Sequence, residues 1–262
     1  MAINTFKRYE KKYKVTDKQL EEMMPTILEH MNFDKYCVGG AEYGVYNIYF
    51  DTQDSYLIRE SLQKPRYKEK IRLRTYCSPA QDNDTCFLEL KKKCEKIVFK
   101  RRITTTLSQA EEFLMYGTEP NFDEKDYINN QVLAEIRTFM KMYSIVPTQY
   151  ISYKRFAFFG KDDSSFRMTF DRDITTRRND LSLRYDSYGE KLLGEHERLL
   201  EIKINGAMPM WLATMLSEMG IFTTSFSKYG TAYSNKIKED MGLVTAKSKP
   251  EQISDEGFRH AV

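Results

Sequence analysis

The sequence predicts an α+β fold in which an antiparallel β-sheet is covered by helices on one side. Apolar and polar residues alternate in more segments than show helical periodicity. Three of these segments follow one another with short connections, SPAQDND at 78–84 and KCEK at 93–96, which are typical of hairpins. Hairpin connections favour antiparallel over parallel pairing. The predicted strands are 5–15, 43–50, 67–77, 85–93, 96–105, 150–159, 166–173 and 196–204.

Helical segments lie between the strands. They are expected at 17–32, after Ser108, at 125–143, from Pro209 to Gly220 and at about 228–240. Thr16 and Gln19 form a capping box before the first helix, in which Pro25 predicts a kink or an interruption. Ser108 and Glu111 form a second capping box, which marks the start of the next helix. These start signals place the helices independently of the strand pattern.

The length allows one large domain or two small ones, and no internal repeat or low-complexity linker divides the chain. We expect one domain over residues 1–245, followed by a flexible tail at 246–262 where periodicity is lost. The chain has 262 residues, and 41% of them are hydrophobic, which is enough for a substantial core.

Its four cysteines lack C-x-x-C spacing and are typical of free thiols in a reducing compartment. No segment has the pattern of a signal peptide or a membrane span. We therefore expect a cytoplasmic protein, with docking to a membrane-protein partner left open.

Basic residues concentrate on one face of the strands. In YKEKIRLRTY at 67–76, every second residue from Lys68 to Arg74 is basic, while Ile71 and Leu73 lie on the other face. A solvated sheet face explains polarity on one strand, but it does not explain a shared sign, because like charges opposite each other repel. The cations expected to converge are Arg8, Arg72, Arg74, Lys91, Lys100, Arg155 and Arg167.

Converging cations require an anionic partner. Nucleic acid is disfavoured because the aromatic residues fall mainly on the opposite face, and because Glu10, Glu89 and Glu201 would repel a phosphate backbone. Carboxylates among cations instead suit Mg²⁺ or Mn²⁺ bound together with substrate phosphates, as in phosphoryl transfer. The chain has neither a P-loop nor a kinase Gly-rich loop. A nucleotide would therefore be held chiefly through its phosphates.

Eight motifs follow one another along the chain. They are RYEKKYKV at 8–15, YFDTQDSYLIRESL at 49–62, RYKEKIRLRTY at 66–76, FLELKKK at 87–93, VFKRRI at 98–103, YKRFAF at 153–158, RMTFDRDI at 167–174 and LLEIKI at 199–204. In this order they resemble the bacterial form of the VTC domain, the polyphosphate polymerase domain of the vacuolar transporter chaperone complex. That family belongs to the triphosphate tunnel metalloenzymes, together with CYTH-type phosphatases. The resemblance runs from about residue 5 to 240.

The resemblance implies an antiparallel β-barrel that forms a triphosphate tunnel, with helices outside. It also implies transfer of the ATP γ-phosphate to a growing polyphosphate chain with Mn²⁺ or Mg²⁺. The implied catalytic residues are Arg72, Arg74, Lys91, Lys100, Arg155 and Arg167. Further substrate-binding residues are Arg8, Lys12, Lys70, Lys203 and Lys228, and the metal ligands are Glu201, Glu10 and Glu89. RYEKK lacks the double E-x-E of the triphosphatases, which favours a polymerase, and Ser225 replaces a lysine found in some members.

Alternatives remain for several of these roles. Glu89 either binds metal or pairs with the cations and spaces them, and Asp171 either binds metal or orients an arginine. Lys68, Lys93 and Arg102 lie either at the tunnel mouth or on plain surface. ATP and inorganic polyphosphate or triphosphate are the expected partners, and no nucleic acid is expected. The alternative functions are a tripolyphosphatase or nucleoside triphosphatase, with water as acceptor, and a non-catalytic polyphosphate-binding module.

Overall fold

The computed structural model describes residues 9–95 and 97–243, so Arg8 and the expected tail at 246–262 lie outside the described residues. The strands are β1 Tyr9–Thr16, β2 Met31–Phe33, β3 Tyr43–Thr52, β4 Tyr67–Thr75, β5 Thr85–Cys94, β6 Ile97–Thr106, β7 Ile145–Gly160, β8 Arg167–Arg177, β9 Glu190–Lys191 and β10 Glu197–Ile204. The helices are α1 Asp17–His30, α2 Tyr56–Leu62, α3 Leu107–Tyr116, α4 Tyr127–Met142, α5 Met210–Glu218 and α6 Lys228–Asp240. The predicted α+β class is confirmed.

All the strands join one antiparallel sheet with the order β1-β10-β8-β7-β3-β4-β5-β6, while β2 pairs with β7 and β9 with β8. The expected closure into a barrel is not observed. Over the described residues, the hydrogen-bonded path ends at β1 and β6 without joining them. The outer edge of β1 is used elsewhere, because Tyr13 bridges Thr223 and the Thr224 N–H donates to the Lys12 carbonyl over 2.7 Å. The sheet nevertheless curls until Lys91 Nζ of β5 lies 3.7 Å from Glu10 Oε2 of β1.

Helices cover the apolar side of this curled sheet in separate clusters. In one cluster, Phe113 of α3 and Ile136 of α4 pack with Leu88 of β5 and are almost completely buried. In another, α1 and α5 pack against β1, β8 and β10, with Met23 and Leu212 fully buried. Each such side chain contributes about 1.5–3 kcal/mol by leaving water. Helix α6 differs from these, because its first residues, Lys228 and Tyr229, line the cavity on the polar side of the sheet.

The helix ends agree with the sequence prediction at α1 and differ at α3. The Gln19 N–H donates to Thr16 Oγ1 over 3.1 Å, which confirms this capping box. Pro25 does not interrupt α1, whose flanking apolar side chains are fixed by the core. Helix α3 begins before Ser108, because Thr106 supplies the cap.

Two further sequence predictions concern chemistry and membranes. All four cysteines are free thiols, as expected. Within residues 9–95 and 97–243, none of the helices combines the length and apolar character that a membrane span requires.

Candidate functional site

The concave polar side of the sheet encloses a cavity of about 800 Å³. Its lining carries four carboxylates but twelve lysines and arginines, although the whole chain has a net charge of only +3. The basic lining residues are Lys12, Lys35, Lys70, Arg72, Arg74, Lys91, Lys100, Arg102, Arg155, Arg167, Lys203 and Lys228. The carboxylates are Glu10, Asp34, Glu89 and Glu201. Every residue predicted for the site lines this cavity except Arg8, which is not described, while the individual roles remain predictions.

Strand register places like charges directly opposite one another. Lys70 of β4 faces Lys91 of β5, and Lys91 faces Lys100 of β6. Such pairs destabilise a sheet unless counter-charge lies between them. Burial, followed by repulsion from neighbouring lysines, lowers the pKa of Lys70 to about 7. The cavity therefore has a surplus of positive charge that an anionic ligand would neutralise.

Glu89 lies at the centre of one group of cations. Its Oε2 accepts from Arg72 Nε over 2.7 Å, and its Oε1 lies 2.5 Å from Lys100 Nζ. Arg74 Nε is 3.9 Å from Oε2. Burial would raise the pKa of Glu89, but these cations outweigh burial and hold its pKa well below the usual range. Since both oxygens contact cations, the geometry favours the ion-pair alternative for Glu89 over a metal-binding role.

Arg74 is fixed by two polar side chains that the sequence analysis did not identify. Its Nε donates to Asn47 Oδ1 over 2.9 Å, and its Nη2 donates to the Tyr153 hydroxyl over 3.3 Å. Asn47 is itself held by a 2.9 Å hydrogen bond from Nδ2 to the Ile151 carbonyl. Burial would raise the pKa of Tyr153, but Arg155, Arg74 and Lys228 lower it to about 8. The guanidinium of Arg74 is thus oriented before any ligand arrives.

A second buried carboxylate, Asp171, orients the cations of the opposite wall. It accepts two hydrogen bonds from Arg155, and Lys228 Nζ of α6 lies 2.5 Å from its Oδ2. The side chain of Asp171 is 0% exposed. Of the two alternatives left open by the sequence, the geometry favours the orientation of an arginine.

Glu10 and Glu201 form a separate acidic group on β1 and β10. Lys12 Nζ lies 3.2 Å from Glu10 and 3.7 Å from Glu201, and Lys203 Nζ lies 2.5 Å from Glu201. Burial raises the pKa of Glu201, but Lys203 and Lys12 hold it well below its usual value. Burial and the charge of Glu201 raise the pKa of Glu10, but Lys91 and Lys12 outweigh them and lower it. Both carboxylates are therefore ionised, and both face the cavity.

The acidic group of Glu10 and Glu201 is the candidate site for a divalent metal ion. Over the described part of the chain, no group of three or more His, Cys, Asp or Glu side chains is placed to hold a metal ion. However, Thr169 lies opposite Glu201 in the sheet, and its buried Oγ1 has no hydrogen-bond partner among the described residues. Two carboxylates beside an orphaned hydroxyl fit a Mg²⁺ or Mn²⁺ ion that takes its remaining ligands from substrate phosphates and water.

Tyrosines are the main feature of the cavity that the sequence analysis missed. The lining includes Tyr36, Tyr43, Tyr49, Tyr76, Tyr153 and Tyr229. The expectation that aromatic residues lie mainly on the opposite face is wrong for this set. The alternation Lys70, Arg72, Arg74, Tyr76 contained the signal for one of them, since Tyr76 continues the basic face. The hydroxyl of Tyr49 accepts from Arg72 Nη1 over 2.9 Å.

The three cations of uncertain position separate into two groups. Arg102 lines the cavity. Lys68 and Lys93 do not belong to the cavity lining, although they face each other at the end of the same hairpin. Lys68 Nζ donates to the Ser61 carbonyl over 2.9 Å.

Comparison with known proteins adds a family match. A model of the VTC domain matches residues 7–236. No curated protein matches the sequence. A candidate adenylyl cyclase from Hippeastrum, reported to have a dominant triphosphatase activity, is 16% identical with a TM-score of 0.49, and the alignment covers 86% of this chain and 95% of that one. A candidate adenylate cyclase from Bacillus halodurans is 12% identical with a TM-score of 0.42, covering 92% and 93%.

Proposed function

The chain belongs to the VTC domain family, and from this membership we propose that it is a polyphosphate polymerase that transfers the ATP γ-phosphate to a growing polyphosphate chain. The observation that carries the proposal is the surplus of lysines and arginines around the cavity. A chain of phosphates presents one negative charge or more at each unit, so a lining with many cations and few carboxylates matches it. Arginines give two-point contacts to phosphate oxygens, and lysines give point charges.

In this proposal, Arg72 and Arg74 of β4 hold the triphosphate from one wall, and Arg155 holds it from the other. Each guanidinium is already oriented by a buried partner, so little side-chain freedom is lost when phosphate binds. The lysines neutralise the charge on the acceptor chain, whose terminal oxygen can then approach the γ-phosphorus in line. As the new P–O bond forms, the bond from the γ-phosphorus to the β–γ bridging oxygen breaks and ADP leaves. Positioning and electrostatic stabilisation supply most of the rate enhancement in such transfers, and no covalent enzyme intermediate is required.

Glu10 and Glu201 would hold the divalent metal, with the Thr169 hydroxyl beside them. When bound, a Mg²⁺ or Mn²⁺ ion withdraws negative charge from phosphate oxygens. Lys12 and Lys203 keep both carboxylates ionised, as metal binding requires.

The test is incubation of the purified protein with ATP and MnCl₂, followed by separation of the products by length. Long-chain polyphosphate is the expected product. If free phosphate is the only product, the protein is a hydrolase and not a polymerase. If ATP is unchanged, the protein is a non-catalytic binding module. The Arg72→Ala variant, prepared in the same way, is the control for contaminating activity and should leave ATP unchanged.

A further inference from the structure

Three tyrosines form a cluster at one end of the cavity, and the proposed transfer of phosphate does not use them. The rings of Tyr36 and Tyr76 are stacked, with centroids 5.4 Å apart and planes 21° apart. The ring of Tyr43 lies 5.7 Å from Tyr36 and 5.8 Å from Tyr76. All three line the cavity, and Tyr36 is 46% exposed. An aromatic surface is therefore presented both to the cavity and to solvent.

The segment that carries Tyr36 is fixed to the sheet. The Asp34 N–H donates to the Ala157 carbonyl over 2.7 Å, and the Ala157 N–H donates to Cys37 Sγ over 3.3 Å. Cys37 is buried and Asp34 Oδ1 accepts from the Tyr36 N–H over 3.2 Å. A single residue of β7 thus binds both sides of the turn, which fixes the backbone at Tyr36, while the Tyr36 ring packs against Tyr43 and Tyr76.

The cluster lies next to the arginines that are expected to bind phosphate. Tyr76 follows Arg74 by two residues and continues the same face of the chain beyond β4. Tyr43 of β3 is directly opposite Arg155 of β7 in the sheet. A ligand with an aromatic group joined to a phosphate chain can therefore contact rings and guanidinium groups at once.

We propose that the cluster of Tyr36, Tyr43 and Tyr76 binds the base of a nucleoside triphosphate by stacking while its phosphates extend into the cavity toward Arg74 and Arg155. This inference rests on the proposed function and adds to it that the phosphate donor is recognised at both ends. Stacking on an aromatic ring tolerates any base but increases with ring area, so purine nucleotides are preferred. Loss of one stacking ring is expected to weaken binding about tenfold or more.

The experiment measures the Kd of ATP, CTP and tripolyphosphate by calorimetry, with MgCl₂ present. In the wild-type protein, ATP should bind more tightly than CTP. Tyr36→Ala should weaken ATP binding about tenfold and leave tripolyphosphate, which has no base, within twofold of wild type. Tyr36→Phe keeps the ring and should retain wild-type affinity for ATP. Tyr116→Ala, on the exposed end of α3, is the matched control and should change the Kd of neither ligand.

Each other outcome overturns the inference in a way that can be told apart from failure of the proposed function. Equal affinity for ATP and CTP in the wild type, or an unchanged Kd for ATP in Tyr36→Ala, removes the base-binding role while the phosphate site remains. Equal weakening of ATP and tripolyphosphate in Tyr36→Ala makes the cluster a structural support of the cavity. Absence of binding by both ligands in the wild type contradicts the proposed function itself.

Discussion

Arg155 and Asp171 form a two-point ion pair in the wall of the cavity. Arg155 Nε lies 2.6 Å from Oδ1 of the carboxylate, and Nη2 lies 2.8 Å from Oδ2. Lys228 Nζ contacts the same carboxylate at 2.5 Å. The fully buried carboxylate of Asp171 therefore compensates two cations. Asp171 is not itself part of the cavity lining, whereas both of these cations are.

Removal of this charge should destabilise the protein. Asp171→Asn leaves two buried cations without their counter-ion, and we expect the free energy of unfolding to fall by about 3–5 kcal/mol. Urea denaturation measures this change. The control is Asp240→Asn, which removes the exposed partner of Lys236 and should have a far smaller effect, because solvent screens surface ion pairs. A comparable loss in both variants would show that the buried pair has no special role in stability.

The guanidinium group of Arg72, with its several N–H donors, should be required for turnover of ATP. Arg72 uses Nε and Nη2 on Glu89 and Nη1 on Tyr49, a geometry that lysine cannot reproduce. We expect Arg72→Lys to lower kcat/KM for ATP at least tenfold, and Arg72→Ala to abolish turnover with the fold intact by circular dichroism. Arg137→Lys changes an arginine of a surface ion pair and serves as the control. Wild-type kcat/KM in Arg72→Lys would contradict the assigned role.

Affinity for phosphate chains should fall as pH rises from 7 to 9. Burial, together with nearby positive charge, lowers the pKa of Lys70 to about 7, and burial lowers that of Lys100 to about 8. Both lysines therefore become largely neutral over this range, and the cavity loses positive charge. The Kd of tripolyphosphate, measured at constant ionic strength, should increase with pH. Lys70→Arg keeps its charge and should reduce this increase, and an unaltered pH profile in that variant would exclude Lys70 from binding.

The stability of the ligand-free protein should increase with pH over the range in which the affinity for phosphate chains falls. Because the folded-state pKa of Lys70 lies below the unfolded value of 10.5, the unfolded chain binds more protons between about pH 7 and 10. The contribution of Lys70 to the free energy of unfolding therefore rises with pH in this window. We expect Lys70→Met to be more stable than wild type at pH 6.5 and to lose much of that advantage by pH 9.5. Thermal unfolding at the two pH values provides the measurement, and an advantage that grows with pH would contradict the assignment.

Substitution of Glu201, the proposed metal ligand, should change the metal requirement of the enzyme, whereas substitution of Glu89, the ion-pair partner, should not. Glu201→Gln is expected to raise the Mn²⁺ concentration required for half-maximal activity at least tenfold, because a neutral amide is a weaker ligand than a carboxylate. Glu89→Gln should lower activity without moving that concentration, because Glu89 pairs with Arg72 and Lys100. Titration of activity with MnCl₂ distinguishes the two variants. If both variants raised the required Mn²⁺ concentration equally, Glu89 would also be a metal ligand.

The convergence of the basic faces was predictable because it depends on local alternation. A strand places every second side chain on the same face, so the pattern from Lys68 to Arg74 fixed which residues share a side before any pairing was known. Register between strands then follows from short hairpins such as the one joining β4 to β5. Closure of the sheet depends instead on contacts between distant parts of the chain. The barrel expectation came from the family resemblance, and closure is not observed over the described residues. The bridge between Tyr13 and Thr223, which occupies part of the β1 edge, has no periodic signal in the sequence.

Side chains that support the site were less visible than those that line it. Asp171 and Asn47 are polar residues in strands, and their partners become apparent only when β7 is placed between β3 and β8. Tyr36 lies in a connecting segment without periodicity, and the sheet fixes it through Ala157. Sequence alternation assigns a face to a residue, but it does not identify the atom that residue contacts across the sheet.

The open order of the strands also bears on how copies of this protein behave at high concentration. The outermost strands of a sheet offer unpaired backbone groups that can template association between molecules. Here the free edge of β1 is occupied in part by the segment at Thr223 and Thr224. At the other margin, Lys100 and Arg102 of β6 face the cavity, and Arg101 pairs with Glu135 of α4. The edge of β1 is thereby protected in part, and we expect the edge of β6 to be the margin at which copies associate at high concentration.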